Sequence, residues 1–186
     1  MATSKVDICS VALSMLGDEA IASFTENTKR AGLCAKLWPA ALDTILRLHP
    51  WNCAIRRVAL APLTDAPVSE YAVAFELPAD CLRLLEVYGI TDYRLEGRTI
   101  LCDAAAVTVR FVYRDEDAAS YDALLTSVLQ NYMAVLLAYP ITKSNVTADA
   151  IRKQFSEMLK AAKAVDAQEE PGQTFGDFPL LNARRS

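Results

Sequence analysis

The chain has 186 residues, of which 53% are hydrophobic and 23% charged, and a net charge of −4. That length suits one domain, or one domain with an insertion. The balance excludes a disordered chain and one that needs a disulfide or metal to fold. The negative charge argues against general nucleic-acid binding, which relies on counterion release by clustered Lys and Arg.

The basic pairs Lys29-Arg30, Arg56-Arg57, Arg152-Lys153 and Arg184-Arg185 are scattered, and none is interleaved with aromatics as a single-strand stacking platform requires. Five cysteines, Cys9, Cys34, Cys53, Cys81 and Cys102, form an odd set without a Cys-x-x-Cys pair. They read as buried free thiols of a reducing compartment. The mixed opening with Lys5 and Asp7 does not read as a signal peptide, so a cytoplasmic protein is expected.

The first helix is predicted to begin near Ser4, where Ser4-x-x-Asp7 has capping-box spacing. Its apolar face is Val6, Cys9, Leu13 and Leu16, and Gly17 is its stop. A second helix is predicted over 27–49, with Cys34, Leu37, Trp38, Ala41, Leu42, Ile45 and Leu48 as its stripe, a kink at Pro39 and an end at Pro50. From Trp51 the period changes. Tyr71, Val73, Phe75 and Leu77 alternate with small or polar residues, as a strand with one buried face does. The segment 82–88 reads as a strand, 93–102 as a hairpin turning at Glu96-Gly97, and 107–113 as a further strand, all in one small antiparallel sheet.

Helical period returns after Asp115-Glu116-Asp117, with Tyr121, Leu124, Leu125, Val128, Leu129, Tyr132, Val135, Leu136 and Tyr139 on one face and an end at Pro140. The apolar stretch 123–141 is interrupted by Thr126, Ser127, Gln130 and Asn131, so it reads as a buried helix and no membrane span is expected. A last helix over 147–168 carries Ile151, Phe155, Met158, Leu159, Ala162 and Val165 on one face and Lys153, Glu157, Lys160 and Lys163 on the other. The expected fold is α+β and mainly α: a four-helix bundle with a small antiparallel sheet inserted between helices 2 and 3 and an extended C-terminal tail. The expected division is 1–50 plus 118–170 for the bundle, 51–117 for the inserted β region and 171–186 for the tail. No internal repeat is evident.

Candidate chemistry is sparse. The single histidine, His49, sits at a helix end between Leu48 and Pro50, where an imidazole caps carbonyls and favours the negative end of the dipole. No Gly-x-Ser-x-Gly elbow, His-Glu-x-x-His or phosphate-cradling loop occurs, and six glycines leave little room for one. The cysteines and lone histidine have no metal-ligand spacing, so no metal, cofactor or catalytic residue is assigned. The acidic triplet reads as favourable charge before a helix N-terminus rather than a cation site. The tail displays Phe175, Phe178, Leu180 and Leu181 beside Arg184 and Arg185. It either folds back on its own helices or orders on a partner, and partner docking is the favoured reading.

Four stretches carry a family resemblance. Val6-Asp7-Ile8-Cys9-Ser10-Val11-Ala12-Leu13 with Leu16-Gly17, and the run from Leu42 through Leu48-His49-Pro50-Trp51-Asn52-Cys53-Ala54, are similar to the first helix and the His-Pro-Trp-Asn-Phe-Ala signature of the tail tubular protein A family. Cys53 departs from the aromatic common there. Phe75-Glu76-Leu77-Pro78-Ala79-Asp80-Cys81-Leu82-Arg83 resembles the family's Leu-Pro-x-Asp-Cys-Leu-Arg element, and the stretch from Leu124 to Thr142, ending Leu137-Ala138-Tyr139-Pro140-Ile141-Thr142, resembles its third helix. The resemblance spans roughly 5–170 and leaves out the tail.

It implies a virion structural protein of short-tailed bacteriophages and not an enzyme. This head-to-tail adaptor forms a homo-oligomeric, dodecameric ring between the portal protein and the tail nozzle. It is assembled in the host bacterial cytoplasm and resides in the virion neck. DNA passes through its lumen without specific binding. On this reading Phe175, Phe178, Leu180, Leu181, Arg184 and Arg185 would dock into the portal. The rival reading is a small helical protein-interaction module, a regulator or chaperone-like binder, that grips one partner with its tail. A virion cell-wall hydrolase acting through His49 or an acidic residue is a weaker rival.

Overall fold

Ser4 opens α1 (Lys5–Met15) as its spacing predicts: its hydroxyl accepts from Asp7 N–H at 3.1 Å and its own N–H donates to the Asp7 carboxylate at 2.9 Å. In the computed structural model, residues 3–169 other than 66 and 69 are described. The helix stops where Gly17 takes φ +75, its N–H donating to Ser14 O and that of Asp18 to Leu13 O. This paired closure satisfies the last carbonyls and needs a residue that tolerates the left-handed region. Thr28 caps α2 (Lys29–Leu48), which runs unbroken through the exposed Pro39.

The remaining helices are α3 (Ala123–Thr142), capped by Asp122, and α4 (Asn145–Glu169). The helix α3 does not end at Pro140 but continues to Thr142. There Lys143, at φ 56, turns its N–H back to Tyr139 O. By length and composition α3 is apolar enough to cross a membrane. Here it runs beside α1, α2 and α4 and buries Leu125, Val128, Leu129, Met133, Ala134, Leu137 and Ala138.

The expected four-helix bundle with one small sheet does not form. Between α2 and α3 the chain builds two three-stranded antiparallel sheets, ordered β1-β6-β3 and β2-β5-β4. Their strands are β1 (Ile55–Leu60), β2 (Val73–Glu76), β3 (Cys81–Tyr88), β4 (Arg94–Glu96), β5 (Thr99–Cys102) and β6 (Val107–Tyr113). The physical reason is a second core. Phe75, Ile100 and Cys102 of one sheet close on Val87, Val107, Val109 and Phe111 of the other, so the β region buries its own apolar faces. The helices do not form a symmetric bundle either, since α3 is the shared neighbour of the other three. The strand β1, absent from the expectation, pairs with β6 from Ile55–Val112 to Leu60–Val107.

Two irregularities in β3 join the cores. Its register against β6 slips between Cys81 and Arg83 and again between Leu84 and Glu86. The residues at the slips, Leu82 and Leu85, pack on the helical core with Val112, while Leu84 and Val87 face the β core. A bulge re-aims side chains in this way by inserting one unpaired residue.

Candidate functional site

The chain leaves α2 extended at His49, turns into a short 3-10 helix (Asn52–Ala54) and folds back on α2: the buried Trp51 indole N–H donates to Ile45 O at 3.0 Å. This presents His49 and Asn52 to the far end of α4. The His49 Nε2 meets Asp166 Oδ2 at 2.7 Å, Asn52 N–H donates to Asp166 Oδ1 at 3.1 Å, and the Asn52 amide donates to Asp166 O at 3.0 Å and Glu169 Oε2 at 3.3 Å. The His49 ring stands edge-on to Trp51 at 4.8 Å. Both Asp166 oxygens are therefore engaged, and its side chain is 3% exposed. The nearby Cys53 thiol is pushed up by burial, the opposite of an activated thiolate. The arrangement clamps α4 to the exit of α2.

The acidic triplet is likewise consumed by the turn that carries it. Asp115 accepts from the Tyr113 hydroxyl at 2.7 Å, the Ser120 hydroxyl at 2.5 Å and Asp117 N–H at 3.0 Å. Burial pulls its carboxyl up, but the hydrogen bonds from Ser120, Tyr113 and Asp117 outweigh it and hold the group below the usual carboxylate range. Burial, then the bond to Asp115, pushes the Tyr113 hydroxyl up to about 12. Glu116 pairs with Arg114 at 2.5 Å, which also holds Asp43 at 2.6 Å, and Asp117 accepts from Ala119 N–H at 3.0 Å. Among the described residues, no group of three or more His, Cys, Asp or Glu side chains is placed to hold a metal ion.

The docking residues expected in the tail, Phe175, Phe178, Leu180, Leu181, Arg184 and Arg185, lie outside the described residues. The last described residue of α4, Glu169, sits at the clamp beside Asn52.

One site was not foreseen from the sequence. Arg47 of α2, Arg83 of β3 and Arg98 of the β4–β5 turn surround a cleft of about 410 Å3 with Leu77, Leu82, Leu84 and Leu95. Arg47 donates to Leu82 O, Arg83 to Arg47 O at 3.3 Å, and Arg98 to Pro78 O and to Cys81 O at 3.3 Å. Each guanidinium is thus tied to carbonyls and has no carboxylate partner among the described residues, whereas Arg30, Arg56, Arg94, Arg114 and Arg152 all pair with one. Three arginines from three elements leave no linear signal. The only hint was that the Leu77 to Arg83 stretch supplies one wall. No family model matches the chain, and no curated protein is similar to it.

Proposed function

We propose that this chain is a head-to-tail adaptor of a tailed bacteriophage, a virion protein that forms a ring between the portal and the tail nozzle and continues the DNA channel. The observation that carries the reading is the meeting of two stretches that bear the family resemblance. Arg47, from the segment that ends in His-Pro-Trp-Asn, bonds Leu82 O, and Arg83 of the Leu-Pro-x-Asp-Cys-Leu-Arg element bonds Arg47 O. Residues far apart in sequence are distinctive together because they form one joint between the helices and the β region.

The rest of the motif has a structural use in the clamp on Asp166, as suits a protein that works by shape and assembly. A head-to-tail ring needs two different faces on each subunit, and closure fixes its copy number. The tail, leaving the clamp at the end of α4, is the segment assigned to the portal. The test is electron microscopy of the purified chain mixed with the portal encoded beside it. A ring of density on the narrow end of the portal is expected. A bare portal with this chain held in a one-to-one complex with some other protein would favour the helical interaction module instead.

A further inference from the structure

The β region carries unlike charge at its two ends. One end is the cleft of Arg47, Arg83 and Arg98, floored by leucines. The other is set by the register of β2-β5-β4. Val73 pairs with Cys102 and Arg94 with Leu101, so the residues just outside those pairs, Glu70, Asp92 and Asp103, gather together. They are fixed there: Asp92 accepts from the Tyr71 hydroxyl at 3.0 Å, Asp103 from Ala72 N–H at 2.9 Å, and Glu70 pairs with Arg94 at 3.3 Å. Beside them Val68 is fully exposed and Tyr93 is 37% exposed.

Each pole therefore combines charge with apolar surface, and each complements the other. The sheet holds them apart by about four residues of strand, roughly 13 Å. Three cations around one cleft repel one another, and none of the described acidic residues lies in its lining. Among the described residues no aromatic lines the cleft, which disfavours stacked bases, while the leucines suit an apolar protein surface.

We propose that the arginine cleft of one copy takes the acidic end of the β region of a second copy, through Glu70, Asp92 and Asp103 with Val68 and Tyr93. The contact joins two different surfaces, so it can repeat head to tail into a ring or a filament. It names the subunit contact of the ring proposed above, and only the ring's closure rests on that reading.

The full-length chain would be followed by sedimentation velocity over a wide concentration range, at low and at high salt. Wild type should form oligomers whose share rises with concentration and falls with salt. Arg83→Glu and Asp92→Lys should each weaken association by about tenfold or more, and an equimolar mixture of the two should recover most of it. The single side-chain contact of Arg83 is to an exposed carbonyl and that of Asp92 is to an exposed hydroxyl, so both variants should keep the wild-type circular dichroism. Should Arg83→Glu misfold, Arg83→Gln gives the same test with a smaller loss. Wild type that stays monomeric throughout, variants that associate as wild type does, or a mixture without recovery would each overturn the contact. Rings assembled on the portal by Arg83→Glu as readily as by wild type would sink the contact and spare the adaptor. Complementation without portal binding would do the reverse.

Discussion

Replacing Asp166 by alanine should destabilise the protein by about 3 kcal/mol. The carboxylate is 3% exposed and accepts from two donors, His49 Nε2 at 2.7 Å and Asn52 N–H at 3.1 Å. A hydrogen bond to a charged group contributes about 1.5–3 kcal/mol, and a buried donor left alone costs about 1–3 kcal/mol. The upper end is not reached, because the His49 side chain is 14% exposed and water can replace part of what it loses. The bond from the Asn52 side-chain amide to the backbone Asp166 O survives the change. For a domain of this size the loss corresponds to a fall in Tm of roughly 6–12 °C. Asp166→Asn keeps one acceptor for Asn52 and should cost about half as much. The buried Trp51, edge-on to His49, supplies the fluorescence signal for urea unfolding. His49→Ala combined with Asp166→Ala should show a coupling of about 1 kcal/mol or more. A loss below about 0.5 kcal/mol, or strict additivity in the double variant, would refute the clamp.

Gly17→Ala and Gly32→Ala should move stability in opposite directions. No atom lies within 4 Å of a Cβ at either position, so only the backbone decides. Gly17 at φ +75 should lose about 1 kcal/mol and Gly32, inside α2, should gain a few tenths to about 1 kcal/mol, read from the midpoint of urea unfolding. The pair Tyr113–Asp115 should shape both limbs of the pH–stability curve. Asp115, lowered in the folded state, stabilises above the ordinary carboxylate range, and that contribution fades as pH falls. Tyr113, raised from about 10 to about 12, stabilises below pH 10 and loses its contribution as pH rises through 12. Tyr113→Phe should flatten the alkaline limb and shrink the acid limb, whose loss is then complete at a higher pH. An unchanged profile in chemical denaturation at a series of pH values would refute this account. Truncation after Glu170 should abolish binding to the portal in a pull-down while leaving the thermal transition in place, and full affinity would remove the tail from the interface.

Where local chemistry decides, the sequence was a sufficient guide. The capping box at Ser4, the stop at Gly17, the turn at Gly97 and the strand 107–113 all follow from residues within one turn or one strand. The errors arise where tertiary packing sets the phase. The helix α2 buries Leu46 and leaves Leu48 45% exposed, because its last turn meets β3 rather than a partner helix. On α4, Val165 is 45% exposed and the neighbouring Asp166 is buried. Its position four residues after the buried Ala162 was the available signal, but a carboxylate on an apolar stripe makes sense only once His49 and Asn52 are known to face it. The strand β1 was hidden because Arg56-Arg57 interrupts its alternation, and both arginines are outward while Val58 and Leu60 reach the β core. Along α3 three neighbours bury most sides, so the single face read from the sequence missed Met133, Ala134 and Leu137 and took in Tyr139, which is exposed. The arginine cleft draws on α2, β3 and the β4–β5 turn, and no short-range pattern could have assembled it.

The two slips in β3 bear on how load travels through the molecule. With Leu82 and Leu85 embedded among the helices and Leu84 and Val87 among the sheets, one strand is anchored in both halves by residues only a few positions apart. Rotating one half against the other would pull these half-buried leucines off the cores they pack against. A pull applied at the end of α4 would therefore pass through the clamp and β3 into the sheets with little give between the two halves.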